Sequence, residues 1–322
     1  MENSEKKNSR RDFMKTIGWA SAAIATSSLP LKGSALNRQK KVQTIQKIAV
    51  ISGAARGIGR ATAVELAQKG MHIWGIDILG KVSDYTQYDP ADENDMLETK
   101  KQVEAMGVKF NFSKADVRDL SRLKEVAQEI KSQYHNIDCV VAVAGIQTFS
   151  KILDSQTQDW RDTLDVNVIG VAHTIIAFTP LMMPKKKGKI VIISSTQGMR
   201  GMWSGAAYAA SKWALIGLAK SSAMELGEYH INVNVVVPGL IYTKMTKNLK
   251  RFQVAMGPGY ENKLVTEEQV KERLKTRDIL GVPWLKAEEV SPVIAFLCSD
   301  DANKITGAVY DVAAGTSTIY TS

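Results

Sequence analysis

The amino-acid sequence predicts an α/β protein: one domain built on a doubly wound parallel sheet. Seven short apolar runs of strand length alternate with helical patterns along the chain, and such alternation implies a parallel sheet covered on both faces. The first run opens into a glycine-rich turn followed by a helical stretch. The second ends in an acid, Asp77, 24 residues beyond Gly53.

Taken in order, Lys47 to Ser52 has the length and composition of a buried parallel strand. It runs into Gly53-Ala-Ala-Arg56-Gly57-Ile58-Gly59 and then a helical stretch from Arg60 to Lys69. Strand, glycine turn and helix N-terminus together form a phosphate cradle: glycines let the backbone approach, and unpaired helix amides point at the anion. The spacing Gly-x-x-x-Gly-x-Gly differs from the commoner Gly-x-Gly-x-x-Gly dinucleotide fingerprint. A second strand, Met71 to Ile76, leads to Asp77. A carboxylate there accepts both ribose hydroxyls and repels a 2′-phosphate, which favours NAD over NADP. Arg56 is the one dissenting charge, since it could pair with such a phosphate.

Val108 to Ala115 reads as a third strand ending at Asp116-Val117, and Ile137 to Ala144 as a fourth ending at Gly145. Ile190 to Ser194 is a fifth, Ile231 to Val237 a sixth closed by Pro238-Gly239, and Ala308 to Val312 a seventh. Helices are expected over Ser121 to Tyr134, Gln158 to Thr179, Ala206 to Glu228 and Ala287 to Cys298. An extra segment, Ile78 to Leu97, precedes the second helix, and Leu240 to Trp284 is expected to be a loop closing over the strand ends. Internal repeats and low-complexity tracts do not interrupt the alternation.

Tyr208-Ala-Ala-Ser-Lys212, with Ser195 thirteen residues before the tyrosine, carries the chemistry. A tyrosine four residues ahead of a lysine on one helix shares its face. A free phenol ionises near ~10, so acting as a base at neutral pH requires roughly 4 kcal/mol of stabilisation of its anion. An adjacent ammonium and a positively charged nicotinamide ring supply that.

These pieces together resemble the short-chain dehydrogenase/reductase family over about residues 45–320. The likeness lies in Ser52-Gly53-Ala-Ala-Arg56-Gly57-Ile58-Gly59, Ala115-Asp116-Val117, Asp165-Val-Asn167-Val-Ile-Gly170, Ile193-Ser-Ser195, Tyr208-x-x-x-Lys212 and Pro238-Gly239-x-x-x-Thr243. The resemblance implies a Rossmann-type fold that binds NAD. It implies Tyr208 as general acid/base, Ser195 holding the substrate oxygen, Lys212 on the nicotinamide ribose, Asn167 anchoring a water in a proton relay, and Thr243 at the carboxamide. Asp116 and Val117 would flank the adenine.

Two positions depart from the family pattern. Ser52 replaces the usual threonine and keeps the hydroxyl. Val143, before Ala144-Gly145, replaces an asparagine that ties neighbouring strands, so a packing change near the cofactor is expected. The insertion after Asp77, with Leu280-Gly-Val-Pro-Trp284 and Leu297-Cys-Ser-Asp300, is similar to the carveol dehydrogenases and mycofactocin-associated enzymes of this family. That likeness implies oxidation of secondary alcohols, often terpenoid, and retention of NAD; the bland alternative is a surface insertion and a subunit-contact loop.

Ser9-Arg10-Arg11-Asp12-Phe13-Met14-Lys15, an apolar stretch from Thr16 to Leu31 and Gly33-Ser34-Ala35 resemble a twin-arginine export signal. The expected organisation is a signal peptide over 1–35, a linker over 36–45 and the NAD-binding domain over 46–322. The apolar stretch is short and polar for a span, which needs about twenty apolar residues, although retention as an anchor stays open. Export implies a periplasmic or otherwise external location, or a cytoplasmic one if the signal is not used. It also implies NAD carried along and regenerated by alternating substrates or an external electron acceptor.

The chain carries 42 basic and 33 acidic residues, a net +9, but no basic helix or aromatic–basic repeat points to nucleic acid. Lys185-Lys186-Lys187 reads as a solvated turn. Lys244, Lys247, Lys250 and Arg251 could attract an anionic substrate, with a solvated helix face the plainer reading. Cys139 and Cys298 could pair, yet their contexts suggest separate buried thiols. His72, His135, His173 and His230 show no metal spacing, so metal is not expected. Gln147, Phe149, Gln197, Trp203 and Tyr242 are candidate pocket walls, with Met245, Phe252 and Met256 closing above. Such a wall suits a hydrophobic ring alcohol or ketone. The expectation is an NAD-dependent secondary-alcohol dehydrogenase, a homodimer or homotetramer through the helices from Gln158 and Ala206. Its rivals are a non-catalytic exported NAD-binding protein and an epimerase or dehydratase on the same fold.

Overall fold

In the computed structural model, which describes residues 47–276 and 278–319, seven strands form one all-parallel sheet in the order β3-β2-β1-β4-β5-β6-β7. The strands are β1 (Ile48–Ser52), β2 (His72–Asp77), β3 (Phe110–Lys114), β4 (Cys139–Ala142), β5 (Gly188–Ile193), β6 (Ile231–Pro238) and β7 (Val309–Val312). All seven expected strands are therefore present. The order reverses between β1 and β4, and at such a switch point the strand ends open a crevice for ligand. The expected export signal and linker lie outside the described residues.

Pleating sends alternate residues to opposite faces, and β1 displays it. Ala49 and Ile51 join one core with helix α1 (Gly57–Gln68) and helix α2 (Glu93–Glu104). Ile48 and Val50 join the other, with Leu123, Val126 and Ile130 of α3 (Leu120–Tyr134). The stretch expected as one helix from Gln158 to Thr179 is α4 (Thr157–Leu164), a π-helical turn over Asp165–Ile169, and α5 (Gly170–Phe178). Helix α6 (Ala206–Leu226) follows as expected.

Three corrections concern the segments between strands. The extra segment after β2 ends at Asp92 instead of Leu97, because Asp92 and Asp95 form a capping box that starts α2 at Glu93. The span from Leu240 to Trp284 is not merely a loop: it holds α7 (Leu249–Met256), capped by Asn248, and α8 (Glu267–Lys275), started by a Thr266–Gln269 capping box. Phe252, Met256 and Trp284 pack with Val265, Val270 and Leu274 into a small core of their own. The last helix, α9 (Ser291–Leu297), is preceded by a 3₁₀ turn at Ala287–Glu289.

Cys139 of β4 and Cys298, just after α9, are joined as a disulfide, correcting the expectation of separate thiols. The topology brings α9 onto the face where Cys139 points, so residues 159 apart in sequence meet with a Cα separation of 5.9 Å, inside the usual range for a bridge. Lys185 and Lys187 are also paired rather than simply solvated, to Asp138 at 2.7 Å and Asp300 at 2.7 Å.

Candidate active site

The cleft over the switch point is lined from one end by Gly53, Arg56, Gly57 and Ile58, along its floor by Ala144 and Gly145, and at the far end by Ser195, Tyr208 and Lys212. Gly53 has φ +70°, and a Cβ there would stand 2.8 Å from the Ala144 nitrogen, so only glycine permits the turn to lie against β4. Gly59 lies behind the turn, where a Cβ would collide with the Gly53 carbonyl.

The turn fits the pyrophosphate role expected of it. Arg56 occupies the N-cap of α1 but sends its side chain to the Asp89 carbonyl at 2.6 Å. The first amides of the helix are left facing the cleft, as an anion requires. Asp77 sits at the end of β2 with its carboxylate accepting from Ala55 N–H at 3.1 Å and Leu79 N–H at 3.2 Å. Burial pushes its pKa up, while these amides and the nearby Arg56 pull it down. Asp116 and Val117 line the cleft beyond it, with Asp116 held by Arg118 at 2.6 Å.

Ser52 lies behind the cleft wall, and its hydroxyl accepts from the Val143 and Ala144 amides at 3.2 and 3.4 Å. These bonds join the ends of β1 and β4 where Val143 has no side-chain donor of its own. Ser52 thus ties the two strand ends beside Val143.

Asn167 is fully buried in the π-helical turn, a distortion that recurs at functional sites. Its Oδ1 accepts from Ile146 N–H at 2.8 Å, and its Nδ2 donates to the Ile146 carbonyl at 2.9 Å and to Ser211 Oγ at 3.0 Å. It stands behind the cleft, and Gly145 lets the two approach: a Cβ there would be 3.1 Å from Asn167 Oδ1 and 3.6 Å from Lys212 Nζ.

Tyr208 and Lys212 share one face of α6, with Lys212 Nζ 5.6 Å from the centre of the phenol ring and donating to the Ile193 carbonyl at 3.0 Å. Burial pulls the Lys212 ammonium down to about 8. Burial also pushes the Tyr208 phenol up, opposed by a hydrogen bond with the Ser195 hydroxyl and by the charge of Arg251. The protein alone therefore keeps Tyr208 protonated at neutral pH, and the phenolate needs a further positive neighbour.

Around this end the structure sorts the expected pocket walls. Gln147, Gln197, Met245, Pro238, Gly239 and Thr243 line the cleft as expected. Tyr242 does not: its hydroxyl meets Glu267 at 3.2 Å and its ring packs 5.6 Å from Trp284, which turns it into a separate surface hollow. Trp203 also stands off the cleft, beneath Lys151 Nζ at 5.8 Å. Phe149 is outside the wall, and Phe252 and Met256 belong to the α7–α8 core. The aromatic residues expected at this wall from the sequence are thus off it, and the aromatic residues that do line the cleft are Tyr88 and Tyr208.

Three residues join the site that its motifs did not single out. Tyr88, from the insertion, lines the cleft with its hydroxyl accepting the Gln147 amide at 3.3 Å and its ring 5.9 Å from the Arg56 guanidinium. Burial holds that phenol up at about 12. Arg200 and Arg251 also line the cleft. Arg251 separates from the lysines grouped with it in sequence, since Lys244 and Lys247 are exposed and paired to Asp95 and Glu267 at 3.6 and 3.5 Å. An aromatic residue inside an insertion was the one sequence signal for Tyr88; nothing in the sequence gave the direction of Arg200.

Comparison with known proteins agrees with this geometry. The family model described as short chain dehydrogenase matches residues 47–253. The chain is 34% identical over 272 residues to a (−)-trans-carveol dehydrogenase of Rhodococcus erythropolis, covering 84% of this chain and 97% of that protein. It is 32% identical over 269 residues to a 3-oxoacyl-[acyl-carrier-protein] reductase of Thermotoga maritima, covering 84% and 97%. A crystal structure of carveol dehydrogenase from Mycobacterium avium in complex with NAD superposes with a TM-score of 0.80 at 33% identity, covering 84% of this chain and 97% of that one.

Proposed function

The chain belongs to the short-chain dehydrogenase family, and from that premise we propose that it interconverts a secondary alcohol and its ketone, with Tyr208 as general acid/base. The observation that carries the reading is the placement of Ser195, Tyr208 and Lys212, all buried, on the wall of the cleft that also holds the glycine turn and Asp77. In this reading Gly53, Arg56, Gly57, Ile58 and the α1 N-terminus hold the pyrophosphate of NAD. Asp77 holds the adenine ribose, and Asp116 and Val117 the adenine. Lys212 holds the nicotinamide ribose, while Pro238, Gly239 and Thr243 border the carboxamide.

NAD bound there would supply the hydride acceptor for the carbinol carbon in oxidation and the hydride donor in reduction. Ser195 orients the reacting oxygen. Tyr208 accepts its proton in oxidation and gives it back in reduction, and Lys212 favours the phenolate. Asn167 anchors the water through which that proton leaves. Positioning and fixed electrostatics account for most of the rate.

Tight retention of NAD is part of the proposal. The insertion residues 78–92 are held to the cleft by the Tyr88–Gln147 and Arg56–Asp89 bonds and by an isolated bridge between Thr86 and Thr148. Such closure suits a folded protein exported through its twin-arginine sequence with nucleotide in place, then reoxidised outside the cytoplasm by a second substrate or an electron acceptor. Ile169 and Ile176 near and on α5, with Trp213 and Met224 on α6, are exposed at 45, 50, 47 and 86%. Apolar side chains on adjacent helices favour a symmetric homo-oligomer through this face.

The test is protein exported through its own signal, purified without added nucleotide, denatured and assayed for released NAD, NADH and NADP. The native protein is then offered secondary alcohols. About one NAD per chain, with turnover lost in Tyr208→Phe while NAD stays bound, supports the proposal. Bound NAD with no redox change on any alcohol points to a non-catalytic NAD-binding protein. Catalysis without net change in nicotinamide absorbance points to an epimerase or dehydratase.

A further inference from the structure

Gln147 holds an acceptor that no described residue uses. It lies on the wall of the cleft that carries Ser195 and Tyr208, and its backbone is fixed from both sides. Before it, Ile146 is paired twice to Asn167, and the Gln147 amide itself donates to the Tyr88 hydroxyl at 3.3 Å. After it, Thr148 bridges to Thr86 and its hydroxyl lies 3.0 Å from that of Thr163. Ser150 bridges to Gly205 and donates to the buried Asp159 at 2.8 Å. The side chain on this rigid segment is almost idle. Gln147 is 5% exposed, its Nε2 meets only the weak acceptor Met202 Sδ at 4.0 Å, and its Oε1 has no hydrogen-bond partner among the described residues. Neighbouring polar groups of the cleft are spent within the chain. Ser194 donates to the Lys212 carbonyl at 2.8 Å, Thr86 to the Ser83 carbonyl at 3.1 Å and Thr246 to the Ile241 carbonyl. Gln197, with its amide oriented to satisfy both neighbours, donates to the Gly201 carbonyl at 3.0 Å and accepts from Arg200 at 3.3 Å. A buried amide oxygen without a donor is costly unless a ligand completes it.

We propose that the substrate carries a second hydroxyl besides the reacting one, and that this hydroxyl donates to Gln147 Oε1: a diol in oxidation, a hydroxy ketone in reduction. This rests on the dehydrogenase reading and narrows it, since Ser195 and Tyr208 keep the oxygen at the reacting carbon. An amide oxygen only accepts, so the group it receives must be an O–H or N–H donor. An ammonium would meet the charge of Lys212, whose Nζ would be 3.6 Å from a Cβ placed on Gly145, two residues before Gln147. Like charges repel strongly where water is excluded, which leaves a neutral hydroxyl. A hydrocarbon or an ether in its place would keep Oε1 buried and unpaired. A site built to pair a hydroxyl rejects the analogue without one far better than an apolar pocket rejects an added group. Gln147 therefore acts as a specificity residue, and its fixed backbone spares the ordering that a mobile side chain would need.

The experiment compares diols with their monomethyl ethers on the NAD-loaded protein: cyclohexane-1,2-diol, -1,3-diol and -1,4-diol, each against the ether that keeps the second oxygen and loses its proton. The expected result is a kcat/KM at least about tenfold higher for one diol than for its ether, carried mainly by KM. That ratio should fall toward one in Gln147→Leu and persist in Gln147→Glu, which keeps an acceptor, with NAD content per chain unchanged in both. Should no probe turn over, calorimetric binding of the three hydroxycyclohexanones and their methoxy counterparts to NAD-loaded Tyr208→Phe decides. Tighter binding of a hydroxy ketone, weakened by adding Gln147→Leu, supports the proposal; equal binding of the pairs, or no binding, overturns it. Ethers used as well as all three diols also overturn it and leave the dehydrogenase reading standing. A diol preference that survives Gln147→Leu overturns it by placing the acceptor elsewhere. Loss of NAD in Gln147→Leu overturns it too, by giving the amide to the cofactor.

Discussion

Asn167 and Ile146 exchange two hydrogen bonds, side chain to backbone: Asn167 Oδ1 accepts the Ile146 amide at 2.8 Å and Nδ2 donates to its carbonyl at 2.9 Å. The asparagine thereby continues the pairing that β4 loses at its end, and it fixes the floor of the cleft at Gly145. Asn167→Ala would leave both groups of Ile146 buried without partners. Each orphan costs about 1–3 kcal/mol, so the variant is expected to be about 2–4 kcal/mol less stable in denaturant unfolding. A loss below 1 kcal/mol would mean that water or a backbone shift replaces both bonds. Asn167→Asp keeps the acceptor and loses the donor, and should fall between.

Lys212 and Tyr208 set a pH dependence. Burial holds the ammonium at about 8, so its charge is present below that pH and fades above it. Tyr208 is pushed the other way, toward the protonated phenol, and alcohol oxidation requires the phenolate. Oxidation is therefore expected to rise with pH while Lys212 remains charged, and to fall through a limb near about 8 as the lysine loses its proton. Lys212→Arg keeps a cation at every accessible pH and should remove the falling limb even where its turnover is lower. A wild-type kcat/KM that climbs without a break through the alkaline range would sink this assignment.

Asp77 holds the amides of Ala55 and Leu79 and faces the cleft at the end of β2. Its carboxylate suits two ribose hydroxyls and repels a 2′-phosphate. Arg56 stands close enough to act on it and becomes the nearest phosphate partner once the acid is gone. Asp77→Ala is expected to lower the NAD:NADP preference by about ten- to a hundredfold, read from the two kcat/KM values. An unchanged ratio would remove Asp77 from cofactor choice.

The strands, the glycine turn and the Tyr–Lys pair were legible because each is local. An apolar run, a positive φ at Gly53 and a four-residue helical spacing all declare themselves within a few residues. The π-helical turn at Asp165–Ile169 was not, because one added residue per turn leaves the apolar pattern of a helix nearly intact. α7 was read only as a solvated helix face around Lys250 and Arg251, and α8 was missed, because both are short, 8 and 9 residues, although Asn248 and the Thr266–Gln269 box were start signals in plain view. The Cys139–Cys298 pairing depends on which face of the sheet α9 covers, and the composition of either segment says nothing of that. Side-chain direction decided the pocket: Tyr242 and Trp203 lie near the strand ends in sequence but turn toward Glu267 and Lys151, while Arg200 and Arg251 turn inward.

Tyr88 gives the insertion its hold on the site. Its hydroxyl accepts the Gln147 amide at 3.3 Å, and its ring lies 5.9 Å from Arg56, which itself donates to the Asp89 carbonyl at 2.6 Å. The phenol stays neutral across the working range, since burial holds it at about 12, so the contact is a neutral hydrogen bond worth about 0.5–1.5 kcal/mol. Tyr88→Phe should leave the Gln147 amide unpaired and speed NAD release about three- to tenfold. Tyr88→Ala also removes the ring from Arg56 and should release NAD faster still. Stopped-flow displacement of bound NAD by excess NADH would measure both. Equal release rates for wild type and Tyr88→Ala would mean that the insertion does not gate the cofactor, and that any retention arises in the glycine turn and Asp77 alone.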